Sequence, residues 1–303
     1  MADSSTVPVA EKPRLSAVIV ALFKLRIVAL LLLAALGGAF LASAGRPSWQ
    51  ALVVLLLAGT ASAGGASALN EYIERDRDSR MQRTRNRRPL ATGAAQPRVA
   101  LIAGIALIAA AVLLTLPFNP IMSAFLFLGA FIYVVIYTLW LKPRTSLNIV
   151  IGGLAGSCAV LSGSAAVGDW AAPAALLLAA LLFFWTPIHF WSLALVYRDD
   201  YAQVGVPMLP VTAGRRKAAA WGLAHGFGVA IAALLLALQP GLGLIYLLPA
   251  LVMTVLLLVR GGRLVADPSV KNAWRLFHTS NLYLLVILLA ATIAAAVQLS
   301  WPF

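Results

Sequence analysis

The sequence is poor in charge. Asp, Glu, Lys and Arg make up 11% of its 303 residues, whereas 62% of the residues are hydrophobic. An average soluble domain carries roughly 25% charged residues. A chain of this composition cannot cover a water-facing surface, which excludes a soluble globular enzyme and a disordered protein. The sequence also has a single cysteine, Cys158, which excludes an intrachain disulfide and a cysteine metal cluster.

Long apolar runs are what the sequence has in abundance, each about as long as a membrane-spanning helix requires. They predict an all-α, polytopic membrane protein with about nine transmembrane helices. The predicted spans are 18–42, 49–69, 98–117, 121–141, 148–167, 173–196, 218–238, 242–260 and 279–299. We expect one transmembrane domain over 18–303, preceded by a tail over 1–17. Short connections alternate with long ones, and the long ones are 70–97, 142–147, 197–217 and 261–278.

Acidic residues are scarce, with ten against 23 lysines and arginines and a formal net charge of +13. Of the 23 basic residues, 20 fall in the N-terminal region and the long connections, Arg98 and Arg260 lie one residue beyond a long connection, and only Arg46 falls in a short one. Basic residues stay on the cytoplasmic side during insertion. We therefore expect a cytoplasmic N-terminus and cytoplasmic long connections, and no nucleic-acid partner. Asp3 and Glu11 precede a first run too long for a signal-peptide core, which predicts an uncleaved protein of the cell inner membrane.

Six of the ten acidic residues lie in two short stretches after predicted spans, 70–78 and 197–201. Asn70, Glu74 and Asp78 are spaced four apart, so a continuing helix would place them in one stripe on one face. Asp76 falls on a different face of the same helix. Acids at a membrane interface are costly unless they are paired, solvated or metal-bound.

Carboxylate and amide oxygens bind Mg²⁺, with waters and substrate phosphates completing its coordination. We expect the catalytic set to be Asn70, Glu74, Asp78, Asp199 and Asp200, and the metal ligands to be Asn70, Glu74, Asp76, Asp78 and Asp200. Basic side chains suited to phosphate oxygens lie near both stretches; these are Lys24, Arg26, Arg77, Arg83, Arg88, Lys142 and Arg198. The alternatives are a solvated loop of local ion pairs and, for Lys24 and Arg26, snorkelling side chains that anchor the topology.

Two motifs resemble known families. Asn70-x-x-x-Glu74-x-Asp76-x-Asp78, followed by Met81-x-Arg83-Thr84, resembles the first aspartate-rich motif of intramembrane polyprenyltransferases. Trp185-Thr186-Pro187-Ile188-His189-Phe190-Trp191, followed by Arg198-Asp199-Asp200-Tyr201, is more narrowly similar to the protoheme IX farnesyltransferase (heme O synthase) family. The similarity spans roughly residues 20–290.

The resemblance implies an enzyme that transfers a farnesyl group from farnesyl diphosphate to the 2-vinyl group of heme B, with addition of water, to give heme O. It implies nine helices around a central cavity capped by cytoplasmic loops, Mg²⁺ as cofactor, and heme A synthase or oxidase assembly factors as possible partners. The heme-contacting candidates are then Trp185, His189, Trp191 and His278. Without the resemblance, a lone histidine in an apolar helix such as His189 is more often a hydrogen-bonded core residue than a ligand.

Two features depart from the family pattern. Tyr197 and Tyr201 stand where the superfamily usually has two acids four apart, and Arg87 or Arg88 could take the role of the arginine before Pro89. Two other functions are compatible with the sequence: an intramembrane prenyltransferase acting on a phenolic or chlorin acceptor, and an ion-coupled transporter. Coupling acids of transporters lie near the bilayer midplane, whereas these acids lie at helix ends.

Overall fold

The computed structural model describes residues 14–298 and is all-α over that range. Nine helical stretches of these residues are long and apolar enough to cross a membrane, which confirms the predicted class. Two of them, Pro120–Leu141 and Asn148–Ala166, each join two of the helices named next. The helices are α1 (Leu15–Leu22), α2 (Leu25–Ala42), α3 (Trp49–Asp78), α4 (Pro97–Thr115), α5 (Pro120–Phe131) continued by a π-helix (Ile132–Leu141), α6 (Asn148–Gly152), α7 (Leu154–Ala166), α8 (Pro173–Val196), α9 (Arg198–Gln203), α10 (Leu209–Thr212), α11 (Arg215–Ala237), α12 (Gly243–Ala266) and α13 (Val270–Val297).

Several predicted boundaries are wrong. The second span does not end at residue 69, because α3 continues to Asp78. The first span is interrupted at Lys24, so that α1 and α2 replace a single helix over 18–42. The connection expected over 261–278 shrinks to residues 267–269, because α12 continues to Ala266 and α13 begins at Val270. Ser269 caps α13 by accepting a hydrogen bond from the Asn272 backbone N–H at 3.4 Å. Hydropathy detects only the part of a helix that lies in the membrane. The polar turns at the end of α12 and the start of α13 extend beyond that part.

Two further predictions, the N-terminal tail and the central cavity, are not tested by the structure. Residues 1–13, with Asp3, Glu11 and most of the predicted tail, lie outside the described range. The central cavity that the resemblance implies stays a prediction.

Small residues let the helices pack closely. A Cβ atom on Gly38 of α2 would come within 2.1 Å of the Val160 carbonyl oxygen, and one on Gly163 of α7 within 1.8 Å of the Ala35 carbonyl oxygen. The backbones of α2 and α7 therefore touch directly, as in helix pairs that associate in lipid. Large apolar side chains face outward instead, among them Leu57, Leu114 and Val252 at 67–74% exposure, which suits a surface covered by lipid tails.

Candidate active site

The acidic stripe lies on the last turns of α3, which continues unbroken from the membrane span to Asp78. Asn70, Glu74 and Asp78 share one buried face and are each only 2% exposed. The Asn70 side-chain amide donates to Glu74 Oε2 at 3.0 Å. Asp76 points away from them, as the spacing predicts: its side chain is 81% exposed and its carboxylate lies 3.5 Å from the Arg75 guanidinium. The structure therefore does not bring Asp76 to the other candidate metal ligands.

Each member of the stripe contacts its own basic side chain. The Lys24 ammonium donates to Asn70 Oδ1 at 2.5 Å. The Lys142 ammonium forms an ion pair with Glu74. Arg88 Nη1 lies 3.4 Å from Asp78 Oδ2 and donates to Asn70 Oδ1 at 3.4 Å. The neighbouring Arg87 is exposed, so Arg88 is the arginine of the pair that faces the stripe.

Lys24 reaches the stripe because the chain bends sharply between α1 and α2. Its backbone is left-handed, with φ 49° and ψ 46°, a conformation that costs energy for any residue with a side chain. Lys24 also donates to the Tyr133 hydroxyl at 3.1 Å. Burial lowers the pKa of the Lys24 ammonium well below its ordinary value, and the nearby Arg88 guanidinium lowers it further. The strained bend thus places a partly buried amine on the stripe.

The π-helix contributes further residues to the site. Its i→i+5 hydrogen bonds bring residues five apart onto one face. Thr138 Oγ1 donates to the Tyr133 carbonyl at 2.8 Å and accepts from Asn70 Nδ2 at 3.0 Å. The backbone N–H of Lys142 likewise donates to the Tyr137 carbonyl at 2.8 Å. Tyr133, Tyr137 and Thr138 were not predicted to lie at the site. Tyr133 and Thr138 are five residues apart, as are Tyr137 and Lys142. This spacing is visible in the sequence but has meaning only in a π-helix.

The second acidic stretch contacts the segment that follows the first. Asp200, at the start of α9, is 8% exposed, and its Oδ2 accepts a hydrogen bond from the Arg83 backbone N–H at 2.9 Å. The Arg83 guanidinium lies 5.7 Å from the ring centre of Tyr197 and 5.8 Å from that of Tyr201. The tyrosines at the positions of the superfamily's second acid pair therefore contact a cation.

Several candidates lie away from the stripe. Asp199 has an 86% exposed side chain, and Arg198 donates to the Pro210 carbonyl at 3.0 Å. Arg26 is exposed. Arg77 lines a groove of about 300 Å³ with Asp76, Arg80 and Thr138, the last of which also contacts Asn70.

Glu71 is a buried acid that the sequence analysis gave no role. It is 0% exposed, and its Oε1 accepts a hydrogen bond from the Leu90 backbone N–H at 2.9 Å. This hydrogen bond anchors the segment after α3 at Leu90, which lies two residues beyond Arg88. Glu71 therefore holds the chain in the position from which Arg88 reaches the stripe.

The heme-contacting candidates fall into three environments. His189 is stacked between Trp185, at 4.2 Å, and Phe277, at 4.8 Å between ring centres. Trp191 is 3% exposed and packs in the same apolar cluster as Tyr137 and Tyr201, next to the stripe. His278 is exposed and stacks on Trp274 at 5.4 Å.

The stripe has the chemistry of a magnesium–diphosphate site. Asn70, Glu74 and Asp78 offer the amide and carboxylate oxygens that Mg²⁺ prefers. Asp78 Oδ2 accepts no hydrogen bond and has only the ion-pair contact with Arg88, and Arg83 Nε is buried without a hydrogen-bond partner. Both atoms can therefore still bond to a ligand. Within the described residues, no three His, Cys, Asp or Glu side chains converge into a metal site of their own. Mg²⁺ usually binds through one or two carboxylates together with substrate phosphates, and these residues fit that pattern.

Comparison with known proteins decides the family. The model of the UbiA prenyltransferase family matches residues 31–288. The chain belongs to this family. Like its relatives, this UbiA prenyltransferase is a multi-pass membrane protein. A protoheme IX farnesyltransferase of Parafrankia sp. is 44% identical over 285 residues, which cover 91% of this chain and 89% of the relative. One of Metallosphaera sedula is 40% identical over 269 residues, covering 88% and 92%.

Solved structures show the same fold. A structure described as digeranylgeranylglyceryl phosphate synthase superimposes with a TM-score of 0.75 at 15% identity, covering 92% of this chain and 98% of that one. A UbiA homolog from Archaeoglobus fulgidus bound to DMAPP and Mg²⁺ has a TM-score of 0.64 at 18% identity, covering 93% and 99%. The nine-helix arrangement of this UbiA prenyltransferase is therefore shared with relatives of very different sequence.

Proposed function

We propose that this prenyltransferase moves a farnesyl group from farnesyl diphosphate to the 2-vinyl group of heme B, with addition of water, and releases heme O and diphosphate. The observation that carries the donor half is the buried stripe of Asn70, Glu74 and Asp78 facing Lys24, Arg88 and Lys142. The acceptor half rests on the relatives at 40–44% identity, which are named protoheme IX farnesyltransferase. Family membership favours prenyl transfer over the ion-coupled transporter.

Departure of the diphosphate is the step for which the stripe is suited. Breaking the allylic C–O bond builds negative charge on the diphosphate oxygens, and donors aimed there in advance stabilise that transition state. Mg²⁺, when bound by Asn70, Glu74 and Asp78, supplies further positive charge to those oxygens. Arg83, Arg88, Lys24 and Lys142 provide N–H donors for the same oxygens. We propose Mg²⁺ dependence on this basis.

The farnesyl chain has to be kept from bulk water after the C–O bond weakens. Tyr137, Trp191 and Tyr201 form a buried apolar cluster beside the stripe. Exclusion of water by this cluster would protect the delocalised allylic cation until the vinyl carbon attacks it. One water then captures the positive charge that the porphyrin spreads.

We propose that His189 faces the heme. The single hydroxyl proton of Ser280 is donated to the Phe277 carbonyl at 2.8 Å. The 2.8 Å hydrogen bond between His189 Nδ1 and Ser280 Oγ must therefore be donated by His189. A neutral imidazole that donates through Nδ1 has its lone pair on Nε2, which is the form that ligates heme iron.

The test of the reaction is the mass of the porphyrin product. Purified full-length protein is incubated with heme B, farnesyl diphosphate and Mg²⁺, and the extracted heme is analysed by mass spectrometry. We expect an increase equal to one farnesyl group plus one hydroxyl group, because the second hydrogen of the water leaves as a proton. A parallel incubation with 4-hydroxybenzoate tests the phenolic alternative. Prenylated 4-hydroxybenzoate together with unmodified heme would refute the proposed acceptor while leaving prenyl transfer intact.

A further inference from the structure

The oxygens that a divalent cation would need are already held by basic side chains. Lys24 holds Asn70, Lys142 holds Glu74, and Arg88 holds Asp78. The three basic residues come from three separate parts of the chain: the bend between α1 and α2, the end of the π-helix, and the segment after α3. Arg88 also donates to Asn70. These contacts are more than a set of local ion pairs, because no two partners are closer than ten residues in sequence.

The buried cluster is also balanced in charge. Three carboxylates, Glu71, Glu74 and Asp78, face three basic groups, Lys24, Arg88 and Lys142. Arg83 and Asp200 add one charge of each sign. Burying an unpaired charge costs several kcal/mol. A divalent cation that entered alone would leave the cluster with a surplus of two positive charges and would push three cations off their oxygens without offering them new partners.

We infer that Lys24, Arg88 and Lys142 are exchangeable counter-ions of the stripe, so that the divalent cation and the diphosphate bind interdependently. The inference rests on the proposed function and adds to it the binding thermodynamics of the donor. When the diphosphate arrives with the metal, its oxygens accept the N–H groups that the carboxylates give up. Each ligand thereby removes the cost of binding the other, and thermodynamic linkage requires the effect to be the same in both directions.

The experiment measures binding without turnover. Mn²⁺ replaces Mg²⁺ as the spectroscopic probe, and electron paramagnetic resonance follows its free form in the presence of the purified full-length protein. Titrations are made with and without farnesyl thiodiphosphate, an analogue chosen for slow reaction, and heme is left out. We expect the analogue to strengthen Mn²⁺ binding by about 5- to 150-fold, the usual range of coupling between two ligands. Mn²⁺ should strengthen binding of the analogue by the same factor.

A variant tests whether Lys142 contributes to the coupling between metal binding and diphosphate binding. Lys142→Met removes the counter-ion of Glu74, so Mn²⁺ alone should bind it about tenfold more tightly than it binds the wild type, and the analogue should add less. Arg77→Met is the matched control, since it removes one positive charge from the same end of α3, and the ion pairs to Asp78 and Glu74 come from Arg88 and Lys142 instead. This control should bind Mn²⁺ like the wild type.

The outcomes separate the inference from the proposed function. Equal Mn²⁺ affinity with and without the analogue in the wild type would overturn the inference and leave the metal site standing. No Mn²⁺ binding in either condition would overturn both the inference and the proposed metal dependence. The wild-type titrations decide the matter even where Lys142→Met does not fold, because they require no variant.

Discussion

Asp76 and Asp78 lie two residues apart on α3 and have opposite environments. The Asp76 side chain is 81% exposed, whereas that of Asp78 is 3% exposed and faces Arg88. The four-residue spacing of the motif was sufficient to predict this difference, because helix geometry alone puts the two side chains on different faces. The choice between Arg87 and Arg88 could not be made in the same way, since the segment that carries them is not a regular helix.

A second prediction at the residue scale concerns the role of His189 in binding heme. If Nε2 of His189 ligates the iron of bound heme B, His189→Ala should shift the Soret band and lose the low-spin features of the complex. Ser280→Ala should keep the ligand and weaken its orientation, because it removes only the hydrogen bond to Nδ1. Visible spectra of the heme-loaded proteins measure both effects. A spectrum of His189→Ala identical to that of the wild type would remove the ligand role.

At the scale of elements, the number and type of the helices follow from hydropathy, because a membrane requires about 20 apolar residues per span. What hydropathy misses is the local backbone. Neither the left-handed Lys24 nor the π-helix over Ile132–Leu141 leaves a mark in apolar periodicity. Both are irregular stretches that turn a basic side chain toward the stripe. Such irregularity is often found at functional sites, where it re-aims side chains.

Two substitutions of Lys24 distinguish the effect of backbone strain at the bend from the effect of the side-chain amine. Lys24→Gly relieves the left-handed strain and Lys24→Ala keeps it, so the glycine variant should be the more stable of the two by about 1 kcal/mol. Both variants lose the amine that faces the stripe, so kcat should fall by about 10²-fold in each. Thermal unfolding in detergent and steady-state kinetics measure the two effects. An alanine variant with wild-type activity would show that the amine is dispensable.

For the whole molecule, the distribution of basic residues predicts orientation in the membrane. The acidic tips of α3 and α9 should face the cytoplasm, and the connection at Gly168–Asp169 should face the opposite side. In a Cys158→Ser background, a cysteine placed at Asp169 should react with a membrane-impermeant maleimide on intact spheroplasts. A cysteine placed at the exposed Arg87 should react only in inverted vesicles. The reverse labelling pattern would invert the proposed topology.

The most direct measurement compares Asp78→Asn with Asp76→Asn in purified enzyme at saturating Mg²⁺, with release of diphosphate as the readout. The two variants change the same functional group on the same helix, and differ in whether that group faces the stripe. We predict that kcat/KM falls by about 10²-fold or more in Asp78→Asn. Asp76→Asn should stay within about threefold of the wild type, as surface substitutions usually do. Equal losses in both variants, or an active Asp78→Asn, would contradict a buried stripe that holds the diphosphate through a divalent ion.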